Sequence, residues 1–158
     1  MFRVVMVCLG NICRSPIAAA VLADRVQRAG LDVSVASAGT GGWHAGDNAD
    51  PRARAALRAR GYVVHHAAQQ FTRDWFDRYD LVVAMDQHNV ADLLRLRSDA
   101  SVHLLREWDP EGSGDVPDPY YGGAEGFDEV VDMAERSCDG LVAWMQTTGR
   151  ARIIAPAT

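Results

Sequence analysis

Residues 4–29 constrain the fold more than any other stretch of this chain. The apolar run Val4-Val5-Met6-Val7 ends at Cys8. A glycine-bearing loop, Leu9-Gly10-Asn11-Ile12-Cys13, then leads through Arg14-Ser15-Pro16 into an alanine-rich helical pattern. This order predicts a buried strand over Arg3–Cys8, a tight loop, and a helix over Ile17–Ala29 stopped by Gly30. Ser15 is a good N-cap type whose hydroxyl can also donate to the Cys8 sulfur, and Pro16 suits a first helical turn. A short loop between a strand end and a helix start can turn several backbone N–H groups towards one centre, and the helix adds its positive end. Cys8 then lies on the floor of an anion cradle. Arg14 supplies a planar fork that grips two oxygens at once. With three cysteines and sixteen basic residues in the chain, the bare Cys-x5-Arg spacing is a weak signal. Its strand, loop and helix context makes it a strong one.

Composition narrows the alternatives. The chain has 158 residues, 48% hydrophobic and 23% charged, which fits one globular domain with a core of its own. A net charge of −5 argues against general nucleic-acid binding, so any anion site is local. All sixteen basic residues are arginine. The absence of lysine excludes a GK[ST] nucleotide loop and a pyridoxal Schiff base, and the bias suggests a GC-rich bacterial coding genome. No basic leader with an apolar core and cleavage site opens the chain, and no apolar run has membrane-spanning length. Cys8, Cys13 and Cys138 are too sparse for a disulfide scaffold and read as free thiols of a cytoplasmic protein.

Strand and helix patterns alternate beyond the first unit. Strands are predicted at Leu31–Ala36, Leu81–Met85 and Val102–Leu105. Helices are predicted from Asp50-Pro51 to just before Gly61, at Val90–Leu96 and at Phe127–Met145. Ser37–Asn48 and Asp109–Gly126 read as loops, and residues 149–158 as a loose tail after a domain spanning 1–148. Alternating βα units predict a single α/β domain with a parallel, doubly wound sheet whose ligand lies at the strands' carboxyl ends. Gly10 is expected to supply a backbone angle closed to other residues.

Four separated motifs carry a family resemblance over roughly residues 3–146. They are Val7-Cys8-Leu9-Gly10-Asn11-Ile12-Cys13-Arg14-Ser15-Pro16, Ser37-Ala38-Gly39-Thr40, Val83-Ala84-Met85-Asp86 and Asp118-Pro119-Tyr120-Tyr121. In these the chain resembles the low-molecular-weight protein tyrosine phosphatases, in a bacterial, actinobacterial-like form. The resemblance implies a three-layer αβα domain with a four-stranded parallel sheet in the order 2-1-3-4. It also implies metal-free, cofactor-free hydrolysis of phosphotyrosine through a cysteinyl phosphate. Cys8 is then the nucleophile, Arg14 the phosphate clamp and Asp118 the general acid and base, with Asp115 its rival. Leu9 to Ser15 bind phosphate or an oxyanion inhibitor. Asn11, Ser15, Ser37 and His65 support the loop; His66 is adjacent, and the following Ala67-Ala68-Gln69 favours His65. Leu9, Trp43, Tyr120 and Tyr121 line the substrate cleft, and the two tyrosines are candidates for phosphorylation themselves. Cys13 can trap an oxidised Cys8 as a disulfide. Partners are phosphotyrosine proteins, among them a bacterial tyrosine kinase, with no nucleic acid, no membrane and a monomeric state.

The chain departs from the pattern at Ala19, where many relatives carry a glutamate that pairs with the supporting histidine. Rival readings are separable by residue. A protein-arginine phosphatase tends to carry threonine at the position of Ile12. An arsenate reductase needs relay cysteines, and only Cys138 lies outside the loop. A phosphotyrosine-binding module has no need of the thiolate or of Asp118.

Overall fold

In a computed structural model, which describes residues 1–154, the core is one parallel sheet of four strands: β1 (Phe2–Cys8), β2 (Val33–Gly39), β3 (Leu81–Ala84) and β4 (His103–Leu104). Their order is β2-β1-β3-β4, as the resemblance implied. Strand β1 is central, pairing with β2 on one side and β3 on the other, and is apolar on both faces. Val4 and Met6 join the core packed under α1 (Arg14–Arg28), α2 (Pro51–Ala59) and α4 (Ala124–Thr147). Val5 and Val7 point the other way, towards Phe71, Trp75 and Leu93, where α3 (Gln87–Leu96) and a 3-10 turn at Arg73–Asp77 cover the sheet. This gives the three-layer sandwich. Residues such as Ile17, Leu22, Phe127 and Leu141 are fully buried, each contributing about 1.5–3 kcal/mol by leaving water. No helix among the described residues is long and apolar enough to cross a membrane.

Most elements form where the sequence pattern puts them, with shifted ends. Helix α3 begins at Gln87 instead of Val90 because Asp86 and Asn89 close a reciprocal capping box: the Asp86 carboxylate accepts from the Asn89 N–H at 2.8 Å, and Asn89 Oδ1 accepts from the Asp86 N–H at 3.2 Å. Helix α4 begins three residues before Phe127, and Gly140 in its middle lets it touch Trp108: a Cβ there would lie 2.1 Å from the Trp108 carbonyl oxygen. Strand β2 starts at Val33, leaving Leu31 as an isolated antiparallel bridge to Ile153. The expected loose tail is therefore bound as far as Ile154. The Asp32 N–H donates to the Arg152 carbonyl at 2.8 Å, the Ile154 N–H to that of Gly30 at 2.6 Å, and Ala151 is buried. The last four residues of that tail lie outside the described residues.

Candidate active site

Strand β1 ends at Cys8 in the middle of the sheet, and the chain turns over its carboxyl end to start α1 at Arg14. Gly39, at the end of neighbouring β2, makes room for that turn. A Cβ on Gly39 would lie 2.7 Å from the Leu9 carbonyl oxygen and 3.0 Å from the Asn11 nitrogen. The left-handed residue of the loop is Asn11, with φ 58°, and not Gly10 as expected. Asparagine adopts this angle more readily than most side chains. Gly10 is explained by its neighbour instead: an added Cβ would sit 3.1 Å from the His44 ring.

Asn11 is the hub of the loop. It is fully buried, and its Nδ2 donates to Ser15 Oγ at 2.8 Å and to Ser37 Oγ at 3.0 Å. Its Oδ1 accepts from the Gln69 N–H at 3.0 Å. Its own N–H donates to Cys8 Sγ at 3.3 Å. Ser15 is not the helix N-cap: Cys13 holds that place without a side-chain cap bond. The Ser15 hydroxyl instead lies 2.9 Å from Cys8 Sγ. Its oxygen already accepts from Asn11, so its proton can go to the sulfur or, at 3.4 Å, to the Ala38 carbonyl, and the sulfur is the nearer. The Asn11 N–H and the Ser15 hydroxyl thus both approach the Cys8 sulfur.

The supporting imidazole is His66, not His65. His66 Nε2 donates to the Asn11 carbonyl at 2.6 Å, whereas His65 is exposed. Residues 63–69 carry no helix or strand, so which of two adjacent histidines turns inward depends on packing that sequence does not display. Burial pushes the His66 pKa down, against a smaller upward pull from the Asn11 carbonyl. Ala19 lies beside both histidines in one hollow of about 450 Å³, where no carboxylate side chain offsets that burial.

Arg14 is 3% exposed. Its Nη1 donates to Asp86 Oδ2 at 2.5 Å and to the Val116 carbonyl at 3.1 Å. Asp86 is a site residue that the sequence reading quoted within a motif but gave no role. The same carboxylate thus caps α3 and aims the arginine. Burial works to lower the Arg14 pKa, but Cys8 and Asp86 outweigh it and keep the guanidinium firmly charged. Nη1 is fully engaged by protein, whereas Nε and Nη2 form no hydrogen bond among the described residues. Nη2 lies 3.7 Å from Asp118 Oδ2. That free edge is what a phosphoryl group needs.

The cleft above Cys8 has a volume of about 220 Å³, and Ile12, Trp43, His44, Asp118, Tyr120 and Tyr121 are among its walls. His44 is a further wall residue; the sequence placed it in the Gly41–Asn48 loop expected at the cleft rim but gave it no role of its own. Asp118 Oδ1 accepts from the Tyr120 N–H at 3.1 Å, an Asx turn that leaves Oδ2 towards Arg14. Asp115 does not line the cleft. Its carboxylate accepts from the Gln87 N–H at 3.1 Å, at the start of α3. Cys13 does line it, and burial, then Asp50 and Cys8, push its thiol up to about 12. Cys138 is fully buried in the core between α4 and α1. Ser37 and Gln69 complete the loop's support through Asn11.

A doubly wound sheet with a cysteine–arginine anion loop at the end of its first strand, and a carboxylate across the cleft, defines a class of phosphoryl-handling proteins. The comparisons narrow the class. The family model for low molecular weight phosphotyrosine protein phosphatase matches residues 3–151, and the chain belongs to that family. It is 52% identical over 161 aligned positions to a low molecular weight protein-tyrosine-phosphatase of Streptomyces coelicolor, covering 95% of this chain and 98% of the relative. It is 43% identical to low molecular weight protein-tyrosine phosphatase A of Mycobacterium tuberculosis, covering 90% and 91%. Among solved structures, a protein tyrosine phosphatase of Entamoeba histolytica with Hepes in its active site superposes with a TM-score of 0.87 at 34% identity, covering 95% of this chain and 99% of that one.

Proposed function

We propose that this chain is a protein tyrosine phosphatase, with Cys8 as nucleophile, Arg14 as phosphate clamp and Asp118 as general acid and base. The observation that carries the reading is that buried Arg14, aimed by Asp86, lines the same cleft as Cys8, whose sulfur accepts from the Asn11 N–H of the loop. The phosphoryl oxygens take the free edge of Arg14 and the loop N–H groups. The Cys8 thiolate attacks phosphorus in line, and a protonated Asp118 gives its proton to the departing tyrosyl oxygen. The carboxylate then takes a proton from water, which attacks the cysteinyl phosphate and releases inorganic phosphate and the thiolate. The charge spread over the equatorial oxygens meets donors already in place, so little reorganisation is needed.

Ile12 on the cleft wall supports an aromatic ester over phosphoarginine, because its side chain is apolar and brings no hydroxyl to a guanidinium, and the rings of Trp43, Tyr120 and Tyr121 offer surface for an aromatic group. Three free cysteines support a reducing, cytoplasmic setting. Targets in this reading are phosphotyrosine proteins, a tyrosine kinase among them, met by a monomer. Peroxide converts Cys8 to the sulfenic acid, and the Cys13 thiol condenses with it to a disulfide with loss of water. Inactivation by peroxide is then reversed by dithiothreitol, and permanent loss would remove Cys13 from this role.

The decisive experiment measures phosphate release from matched phosphotyrosine and phosphoarginine peptides by wild type and Cys8→Ser. Release from phosphotyrosine alone, absent in the variant, is expected. Preference for phosphoarginine would overturn the substrate, and residual turnover by Cys8→Ser would overturn the nucleophile. Phosphate binding without release from either peptide would instead make the chain a binding module.

A further inference from the structure

Leu9 and Trp43 each have two sides. On one they wall the cleft over Cys8. On the other they border a second hollow of about 620 Å³, with Phe71 and Leu96 inside it and Arg73 and Arg95 at its edge. The two hollows share Leu9 and Trp43, which form a ridge between them.

That ridge is a built feature. Trp43 is 73% exposed, yet its indole lies directly on Gly41: a Cβ there would fall 1.8 Å from the ring. Gly41 and Thr40 are tied to the catalytic loop by N–H donations to the Leu9 and Cys8 carbonyls, both at 2.9 Å. Leu9 is also exposed, at 41%. An apolar ridge left in water beside a reactive cleft is a surface for a partner to cover.

The second hollow carries positive charge. Asp92 accepts from Arg95 at 2.9 Å, and its other oxygen accepts from Thr40 Oγ1 at 3.3 Å. Arg73 has no ion-pair or hydrogen-bond partner among the described residues. Two cations against one carboxylate leave an excess of one positive charge there, in a chain whose net charge is −5.

We propose that this hollow receives the polypeptide flanking the target phosphotyrosine and favours aspartate or glutamate side chains there. The inference rests on the phosphatase reading and adds to it the sequence class of the substrate. The phosphotyrosine ring fills the cleft, its backbone crosses the Leu9–Trp43 ridge, and an acidic side chain beyond the ridge meets Arg73 and Arg95. Both arginines are exposed and the pairing is screened by salt, so selectivity is modest and falls as ionic strength rises.

The test uses the full chain and peptides with a central phosphotyrosine flanked by glutamate or by lysine, with p-nitrophenyl phosphate as the substrate without flanks. At low salt, kcat/KM is expected to be about fivefold higher for the glutamate peptides, and the gap to close in high salt. Arg73→Ala combined with Arg95→Ala abolishes or inverts the gap, since Asp92 is then left uncovered, while p-nitrophenyl phosphate turnover is unchanged. The single Arg73→Glu variant, at an exposed position, gives the same narrowing without disturbing Asp92. Equal rates on both peptide sets with wild type, or a gap that survives in both variants, overturns the proposal. No turnover of any phosphotyrosine substrate or of p-nitrophenyl phosphate would instead overturn the phosphatase reading itself.

Discussion

Arg14 and Asp118 face one another across a single cleft, with 3% and 42% of their side chains exposed. On the Arg14 side, each polar side chain is fixed by others. Asn11 bonds Ser15, Ser37 and Gln69, His66 bonds Asn11, and Asp86 bonds Arg14. On the Asp118 side, one Asx turn and the edge-to-face contact of exposed Tyr120 and Tyr121 do most of the work, with Arg52 over the Tyr120 ring at 5.5 Å and donating to the Gly122 carbonyl at 3.4 Å. The difference fits the two tasks. Oxyanion donors must be in place before charge develops, because reorienting them during reaction costs free energy. A proton donor must reach leaving groups of varied shape at the mouth of the cleft, so it sits where substrate enters. The long loop that carries Asp118 is nonetheless anchored at its start, where buried Asp109 accepts from Arg106 and Arg136, each at 3.0 Å.

The contrast can be broken from either side. Arg14→Lys keeps the charge but loses the fork and its contact with Asp86, and we expect kcat/KM to fall by about 10²–10³-fold on every substrate. A loss under tenfold would mean that the loop amides alone hold the phosphate. Asp118→Ala is expected to slow phosphotyrosine by roughly 10²-fold or more but p-nitrophenyl phosphate far less, because the better leaving group needs no proton. Equal losses on both would deny Asp118 the role of acid.

Asn11→Ala strands several buried partners and forces alanine into a left-handed angle, and we expect about 3 kcal/mol of destabilisation by denaturant titration. Asn11→Gly should recover about 1 kcal/mol of that, the share belonging to the backbone angle. Identical stabilities for the two would leave the backbone angle without a cost.

The smallest effect belongs to the loop's anchor. Arg136, the Glu111 N–H and Arg106 outweigh burial and hold the Asp109 carboxyl down at about 2. A carboxyl depressed in the folded state adds stability above its unfolded pKa of about 3.9 and loses it as pH falls towards the folded value. Asp109 should therefore contribute about 2 kcal/mol at neutral pH, lost between roughly pH 4 and 2. Asp109→Asn should flatten that part of the stability profile. An unchanged profile would mean that the two arginines do not hold this carboxyl.

Cys8, Arg14 and Asp118 were legible because each sits in a contiguous motif whose backbone geometry is local. Asp86 was legible only as part of a string. Its bond to Arg14 spans 72 positions, and no periodicity or spacing marks such a pair. Gly10 was given a role by residue type that its neighbours override, since the left-handed angle passes to Asn11; of the two roles expected of Ser15, the contact with the sulfur holds and the helix cap does not. His65 and His66 differ by one position in an irregular segment, where nothing local says which ring points inward.

By itself, then, the sequence determined the order of strands and helices, the anion loop and the chemistry it can perform, since hydrophobic period, loop length and residue type act over a few neighbours. Only the tertiary structure decided which histidine braces the loop, which carboxylate aims Arg14, and that a second hollow adjoins the cleft. Those outcomes depend on side chains brought together from distant strands and loops, where packing and electrostatic pairing in three dimensions choose among residues that the sequence leaves equivalent.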